Sequence, residues 1–136
     1  MSESLEHHNY VKVIYNYVQK MIDQSEACFL KADIFSCDKP TLVYGSFVPD
    51  VMYCYNNKLI IGEAKTLDDY NREHSYKQYE SYIKECGNFP GESYLIICIP
   101  WPLFLNAKNH FKLLKNKYSP NTSIIVLTDN GMEARV

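Results

Sequence analysis

PDVMYCYNNKLIIGEAK, residues 49–65, sets two β-prone runs on either side of Asn56–Asn57. Asparagine tolerates positive φ, which a two-residue type I′ turn needs at both central positions, so the segment reads as a β-hairpin. Tyr55 then faces Lys58, and counting outward sets Tyr53 against Ile60, Val51 against Gly62 and Asp50 against Glu63. Cross-strand partners hold their Cβ atoms about 4.5–5.5 Å apart, where like charges repel. Glu63 and Lys65 are two residues apart and leave the same face of the strand, while Ala64 points away. The hairpin therefore gathers Asp50, Glu63 and Lys65 at one spot. Two carboxylates across such a gap suit a hard divalent cation such as Mg²⁺. A lysine beside the ion can orient or deprotonate an attacking water, or offset charge on a pentavalent phosphorus. The competing reading makes Glu63 and Lys65 a solvent-facing pair at a strand end and Asp50 a turn residue after Pro49.

Around the hairpin the chain reads as alternating helices and strands. From about Ser4 to Gln24, Val11, Ile14, Val18 and Ile22 recur at helical spacing, with Ser2 or Ser4 as the cap. ACFLKADIFS (27–36) alternates like a strand, and TLVYGSF (41–47) is a second extended piece. After the hairpin a helix is expected from Leu67 or Asp68 to about Cys86, with an acidic first turn and a stop at Gly87. SYLIICIPW (93–101) has the unbroken apolar run of a strand buried on both faces. Pro102 opens a helix to about Tyr118, and TSIIVLTD closes the chain with a last strand. The order α, β, β, β, α, β, α, β implies an α/β fold with a mixed central sheet flanked by helices.

With 136 residues, 46% hydrophobic and 22% charged, the chain supports one domain over residues 1–136. No stretch approaches the roughly 18–20 apolar residues of a membrane helix. MSESLEHHNYVKV is acidic and polar where a secretory signal is basic and then apolar, so a cytoplasmic protein is expected. Cys28, Cys37, Cys54, Cys86 and Cys98 are odd in number and contain no C-x-x-C pair. They suit a reducing compartment, as small buried hydrophobes. The net charge of −2 hides an uneven distribution: between Leu103 and Asn121 lie Lys108, Lys112, Lys115, Lys117 and His110, and no acid. That helix is the candidate for phosphate contact, where each lysine adds salt-dependent, sequence-independent affinity.

Pro49–Asp50, a twelve-residue spacer and Glu63-Ala64-Lys65 resemble the signature of the PD-(D/E)xK nuclease superfamily, from helix one to the strand near Leu95. QYESY, with Gln78 and Tyr82, resembles the Q-x-x-x-Y motif of its RecB-like and VRR-NUC-like members. Gln78 and Tyr82, at i and i+4, share a helical face that His74 and Tyr70 extend. The resemblance implies a restriction-endonuclease-like αβββαβ core, here extended by a C-terminal helix and strand. It implies a Mg²⁺-dependent deoxyribonuclease, with Mn²⁺ able to substitute. Asp50, Glu63 and the Ala64 carbonyl would hold the metal, Lys65 would position the water, and Gln78 would assist catalysis. Tyr82 would pack beneath the site or touch the nucleic-acid backbone, with His74, Lys108, Lys112 and Lys115 as further contacts. Members often add an acid or His from the first helix; Glu6 is taken as that ligand, with His7 and His8 as alternatives. So short a chain is expected to recognise a structure or an end, to act as a homodimer, or to be the cutting subunit of a larger complex. RNA or a small nucleotide as substrate stays open. A catalytically silent module for nucleic-acid binding or complex assembly is the other class of function.

Overall fold

In the computed structural model, which describes residues 4–34, 37–40 and 47–136, Asn56 and Asn57 take φ of 54° and 62°. They close an antiparallel hairpin of Val51–Tyr55 on Lys58–Ala64, with Tyr55 opposite Lys58 and Val51 opposite Gly62. In chain order the elements are α1 (Leu5–Met21), a 3₁₀ helix (Gln24–Phe29), β1 (Leu30–Ala32), β2 (Val51–Tyr55), β3 (Lys58–Ala64), α2 (Leu67–Tyr70), α3 (Glu73–Asn88), β4 (Glu92–Cys98), a 3₁₀ turn (Trp101–Leu103), α4 (Phe104–Tyr118), β5 (Ser123–Leu127) and β6 (Glu133–Arg135). The six described strands lie side by side in sequence order. β1–β2 and β2–β3 pair antiparallel, β3, β4 and β5 are parallel, and β6 turns back against β5. α3 and α4 are the crossovers that parallel pairing demands. The result is a mixed α/β sheet with helices on both faces.

Strand alternation sorts the apolar side chains into two cores. On one face, Val11, Ile14 and Val18 of α1 pack on Val51, Ile60, Ile96 and Ile125. α1 lies so close that a Cβ at Gly62 would come within 2.6 Å of Ile14 Cγ2. On the other face, Tyr79, Tyr82 and Ile83 of α3 and Phe111 of α4 cover Leu59, Ile61, Leu95, Ile97, Ile124 and Val126. β3 and β4 are thus buried on both faces, which explains their nearly unbroken apolar runs.

Several expected boundaries move. The strand expected over 27–36 shortens to Leu30–Ala32, because Gln24–Phe29 coils as a 3₁₀ helix. The extended piece at 41–47 lies, except for Phe47, outside the described residues. The single helix expected after the hairpin is two, α2 and α3. At their junction the Asp68 carbonyl, which a continuous helix would give to the Arg72 amide, accepts from Arg72 Nε at 3.1 Å, while that amide donates to Asp69 O at 3.2 Å. α3 runs through Gly87 to Asn88. It stops at Phe89, which precedes Pro90 and is extended at φ −72°, ψ 131°. The chain's last strand is β6, not β5. Cys86 and Cys98 are buried as expected, but Cys28 and Cys54 are exposed; all five cysteines are free. Among the described residues no helix is long and apolar enough to cross a membrane.

Candidate active site

The site forms where β2 begins and β3 and β4 end. Asp50 stands one residue before β2, at the position where the ladder to β3 stops. Its Oδ2 accepts the Ala64 backbone N–H at 2.9 Å, a side chain replacing the missing backbone acceptor. His7, on the first turn of α1, brings Nε2 to 3.2 Å from the same oxygen. That turn is fixed by Ser4, whose Oγ accepts the His7 N–H at 3.0 Å. Lys65 follows β3 and is tied to β4 by its N–H, which donates to Cys98 O at 3.0 Å. Its Nζ donates to Gln78 Oε1 on α3 and lies 3.7 Å from Glu63 Oε2.

These charges are buried: Asp50 and Lys65 are 8% exposed and Glu63 is 3% exposed. The reading of Glu63 and Lys65 as a solvent-facing pair is therefore overturned. Burial raises the Glu63 carboxyl well above the ordinary carboxylate range; the Asp50 charge pushes it further, and Lys65 pulls it partly back. Glu63 Oε1 is sealed from solvent, and the groups that act on the carboxylate are Asp50, Lys65 and the Tyr82 hydroxyl. Tyr82 lies fully buried beside it. Burial first, and then the Glu63 charge, raise its hydroxyl above the usual phenol value.

The buried groups open into a cleft of about 410 Å³. Among the described residues Asp33, Asp50, Glu63 and Asp69 line it with Lys39, Lys65 and His7, so carboxylates outnumber basic groups. Asp33, Lys39 and Asp69 were not singled out in the sequence. Asp33 and Lys39 pair at 2.6 Å on the rim, and Asp69 accepts from Thr66 Oγ1 at 3.3 Å. Nothing in ADIF, DKP or LDDY separates these from ordinary loop and helix-start charges.

Of the expected contacts, Gln78 lines the cleft with Asp50, Glu63, Ala64 and Lys65. Among Glu6, His7 and His8, it is His7 that enters the cleft. Glu6 is exposed and acts on Tyr10, whose hydroxyl is pushed up to about 12 by burial, then by the Asp129 and Glu6 charges. His74 is exposed with its ring edge on Phe47 at 5.3 Å. Tyr82 is a floor rather than a contact surface. Lys108, Lys112 and Lys115 lie on α4 away from the cleft lining. Lys108 Nζ sits 5.4 Å from the centre of the Phe104 ring, and Lys115 donates to Val136 O at 3.0 Å.

Among the described residues no three His, Cys, Asp or Glu side chains are placed to hold a metal ion between them. The donors on offer are the Asp50 and Glu63 carboxylates and the Ala64 carbonyl. In a β-strand that carbonyl leaves the backbone on the same side as the N–H taken by Asp50. All three are hard oxygen donors, the set that Mg²⁺ and Mn²⁺ accept. No protein-family model, curated protein or solved structure matches the chain.

Proposed function

We propose that the chain is a metal-dependent nuclease of the PD-(D/E)xK superfamily that hydrolyses phosphodiester bonds of DNA. The observation that carries this reading is Glu63, a side chain 3% exposed, buried beside the Asp50 carboxylate, whose charge acts on it. A divalent cation shared by the two carboxylates would relieve that arrangement. The order α1, β1, β2, β3, α3, β4 supports the same reading, since it follows the αβββαβ core with α4, β5 and β6 added.

Asp50, Glu63 and the Ala64 carbonyl would hold Mg²⁺ or Mn²⁺, which when bound lowers the pKa of coordinated water and takes up charge on a phosphate. His7 holds the Asp50 carboxylate in place through Oδ2. Gln78 and Glu63 hold the Lys65 ammonium at the cleft wall. From there Lys65 orients an attacking water or offsets charge developing on phosphorus. Tyr82 and the rest of the α3 face exclude bulk water behind Glu63, so these charges act in a low-dielectric setting.

A second reading, a silent module with the same fold, is favoured by one observation: Asp50 and Lys65 already have partners within the chain. Mg²⁺- or Mn²⁺-dependent cleavage of labelled linear, branched and single-stranded DNA separates the two. Lys65→Ala is expected to lower cleavage by about 10²-fold or more, the range for loss of a positioned acid–base group. No cleavage of any substrate with either metal, together with unaltered DNA binding by Lys65→Ala, would leave the silent module standing.

A further inference from the structure

Trp101, the only tryptophan of the chain, is 60% exposed. It stands between Pro100 and Pro102 on a 3₁₀ turn closed by the Leu103 N–H donating to Pro100 O at 3.0 Å. The two proline rings fix φ on either side, so little conformational freedom remains to be lost when the indole meets a ligand. The mount is also close to the cleft. Cys98 pairs with Ala64 in the β3–β4 register and its carbonyl accepts the Lys65 N–H. Trp101 is three residues further on, a reach of at most about 11 Å from that pair.

The α4 residues that follow the indole are apolar and cationic. Leu105, at the start of α4, is 66% exposed. Lys108 folds back toward the first turn of α4 over Phe104, and Lys112 follows one turn later, exposed. No acid occurs anywhere in α4. A second copy meeting this helix with its own α4 would bring like charge and be repelled, whereas a polyanion with flat apolar groups fits. Duplex DNA hides its base faces in the stack; unpaired bases present them.

We infer that Trp101 is a stacking platform for unpaired bases, with Lys108 and Lys112 on the adjoining phosphates. The favoured DNA substrate is then single-stranded, or carries a single-stranded stretch beside the bond that is cut. This inference rests on the hydrolysis proposed above and names the substrate form that the same cleft receives. The backbone reach from Cys98 to Trp101 corresponds to at most about three nucleotides stacked at 3.4 Å each.

The test uses the intrinsic fluorescence of the intact protein in EDTA, so that nothing is cut. Titration with dT₁₂ is expected to quench Trp101 saturably, and a blunt duplex of equal length to quench it far less. By anisotropy of labelled dT₁₂, Trp101→Ala should bind at least about fivefold more weakly, the low end of what one lost base–aromatic stack costs. Trp101→Phe should recover most of that loss, and Lys112→Ala should make the dependence of log affinity on log salt shallower. The inference is overturned if dT₁₂ leaves the emission unchanged, if only rU₁₂ quenches it, or if the emission follows protein concentration alone, as docking of a second copy would require. Cleavage of single-stranded and duplex DNA at equal rates without quenching removes the platform and keeps the hydrolysis; quenching by dT₁₂ without cleavage does the reverse.

Discussion

The two ends of the β2–β3 hairpin treat polar groups in opposite ways. At the turn, Asn56 and Asn57 are exposed, and the Asn57 carbonyl accepts the Glu92 N–H at 3.0 Å. Beside it Lys58 lies half-buried with Nζ 6.0 Å from the centre of the Tyr94 ring, and Tyr55 stacks on Phe29 at 4.0 Å. These groups contribute shape, and water screens their charges. At the other end Asp50, Glu63 and Lys65 are buried, and the Asp50 charge acts on the Glu63 carboxylate. Burying charges that are incompletely paired works against folding. The turn end specifies the register, and the cleft end uses that register to hold groups together that would otherwise separate.

The strongest way to break this contrast is Glu63→Gln. Cleavage is expected to fall by about 10²-fold or more, while the metal-free protein becomes more stable than wild type near neutral pH. The sign follows from the raised native carboxyl. Below the ordinary Glu value of about 4.3 the side chain is protonated in both states and its contribution to stability is complete. As pH rises through the higher native value, the unfolded chain has already released the proton that the native state keeps, so stability falls. Denaturation curves of wild type and Glu63→Gln in EDTA should therefore diverge as pH rises. Mg²⁺ at about 100 times its Kd would return about 2.7 kcal/mol to wild type and much less to the variant. Parallel curves across pH would mean that the cleft end carries no electrostatic strain.

Gly91→Ala probes the turn end. A Cβ there would come within 2.0 Å of the Asn57 carbonyl oxygen, so backbone must shift where α3 hands over to β4. Overpacking of this kind costs about 1–3 kcal/mol. Chemical denaturation should show that loss, while cleavage per folded molecule stays near wild type. A large fall in cleavage by the folded variant would mean that the two ends are not separable.

The contrast also marks what the sequence could tell. The hairpin was legible because Asn56–Asn57 can accept positive φ and the strand period of two then places the pairs from Tyr55–Lys58 to Val51–Gly62, with Asp50 one residue beyond them. The long elements were legible for the same reason: α1, α3, β4, α4 and β5 repeat their pattern often enough to define it. β6 has three residues, Glu133, Ala134 and Arg135, too few to show any period, and its pairing depends on Val126 lying opposite Ala134. The break at Asn71 and Arg72 depends on one side chain capturing one carbonyl. Asp33, Lys39 and Asp69 reach the cleft from segments far apart in sequence, so only the fold brings them together. Choosing among Glu6, His7 and His8 needs the rotation of α1 about its axis, since neighbouring residues differ by about 100° on a helix. His7 is close to the stripe of Val11 and Ile14 that sets that rotation.

The smallest expected effect tests whether the turn contributes anything beyond its backbone conformation. Asn57→Gly keeps the φ of 62° accessible and removes the residual strain of an L side chain there, but it also loosens the unfolded chain. These opposing effects should leave stability within about 0.5 kcal/mol of wild type, with cleavage unchanged. Asn57→Val keeps the chain length yet places a β-branched side chain where positive φ is a genuine outlier, and it should cost about 1–2 kcal/mol. If Asn57→Gly changed cleavage tenfold at unchanged stability, the turn would be shifting the β2–β3 register itself. A one-residue slip moves Asp50 to the opposite face from Glu63, and the independence of the two ends would have to be given up.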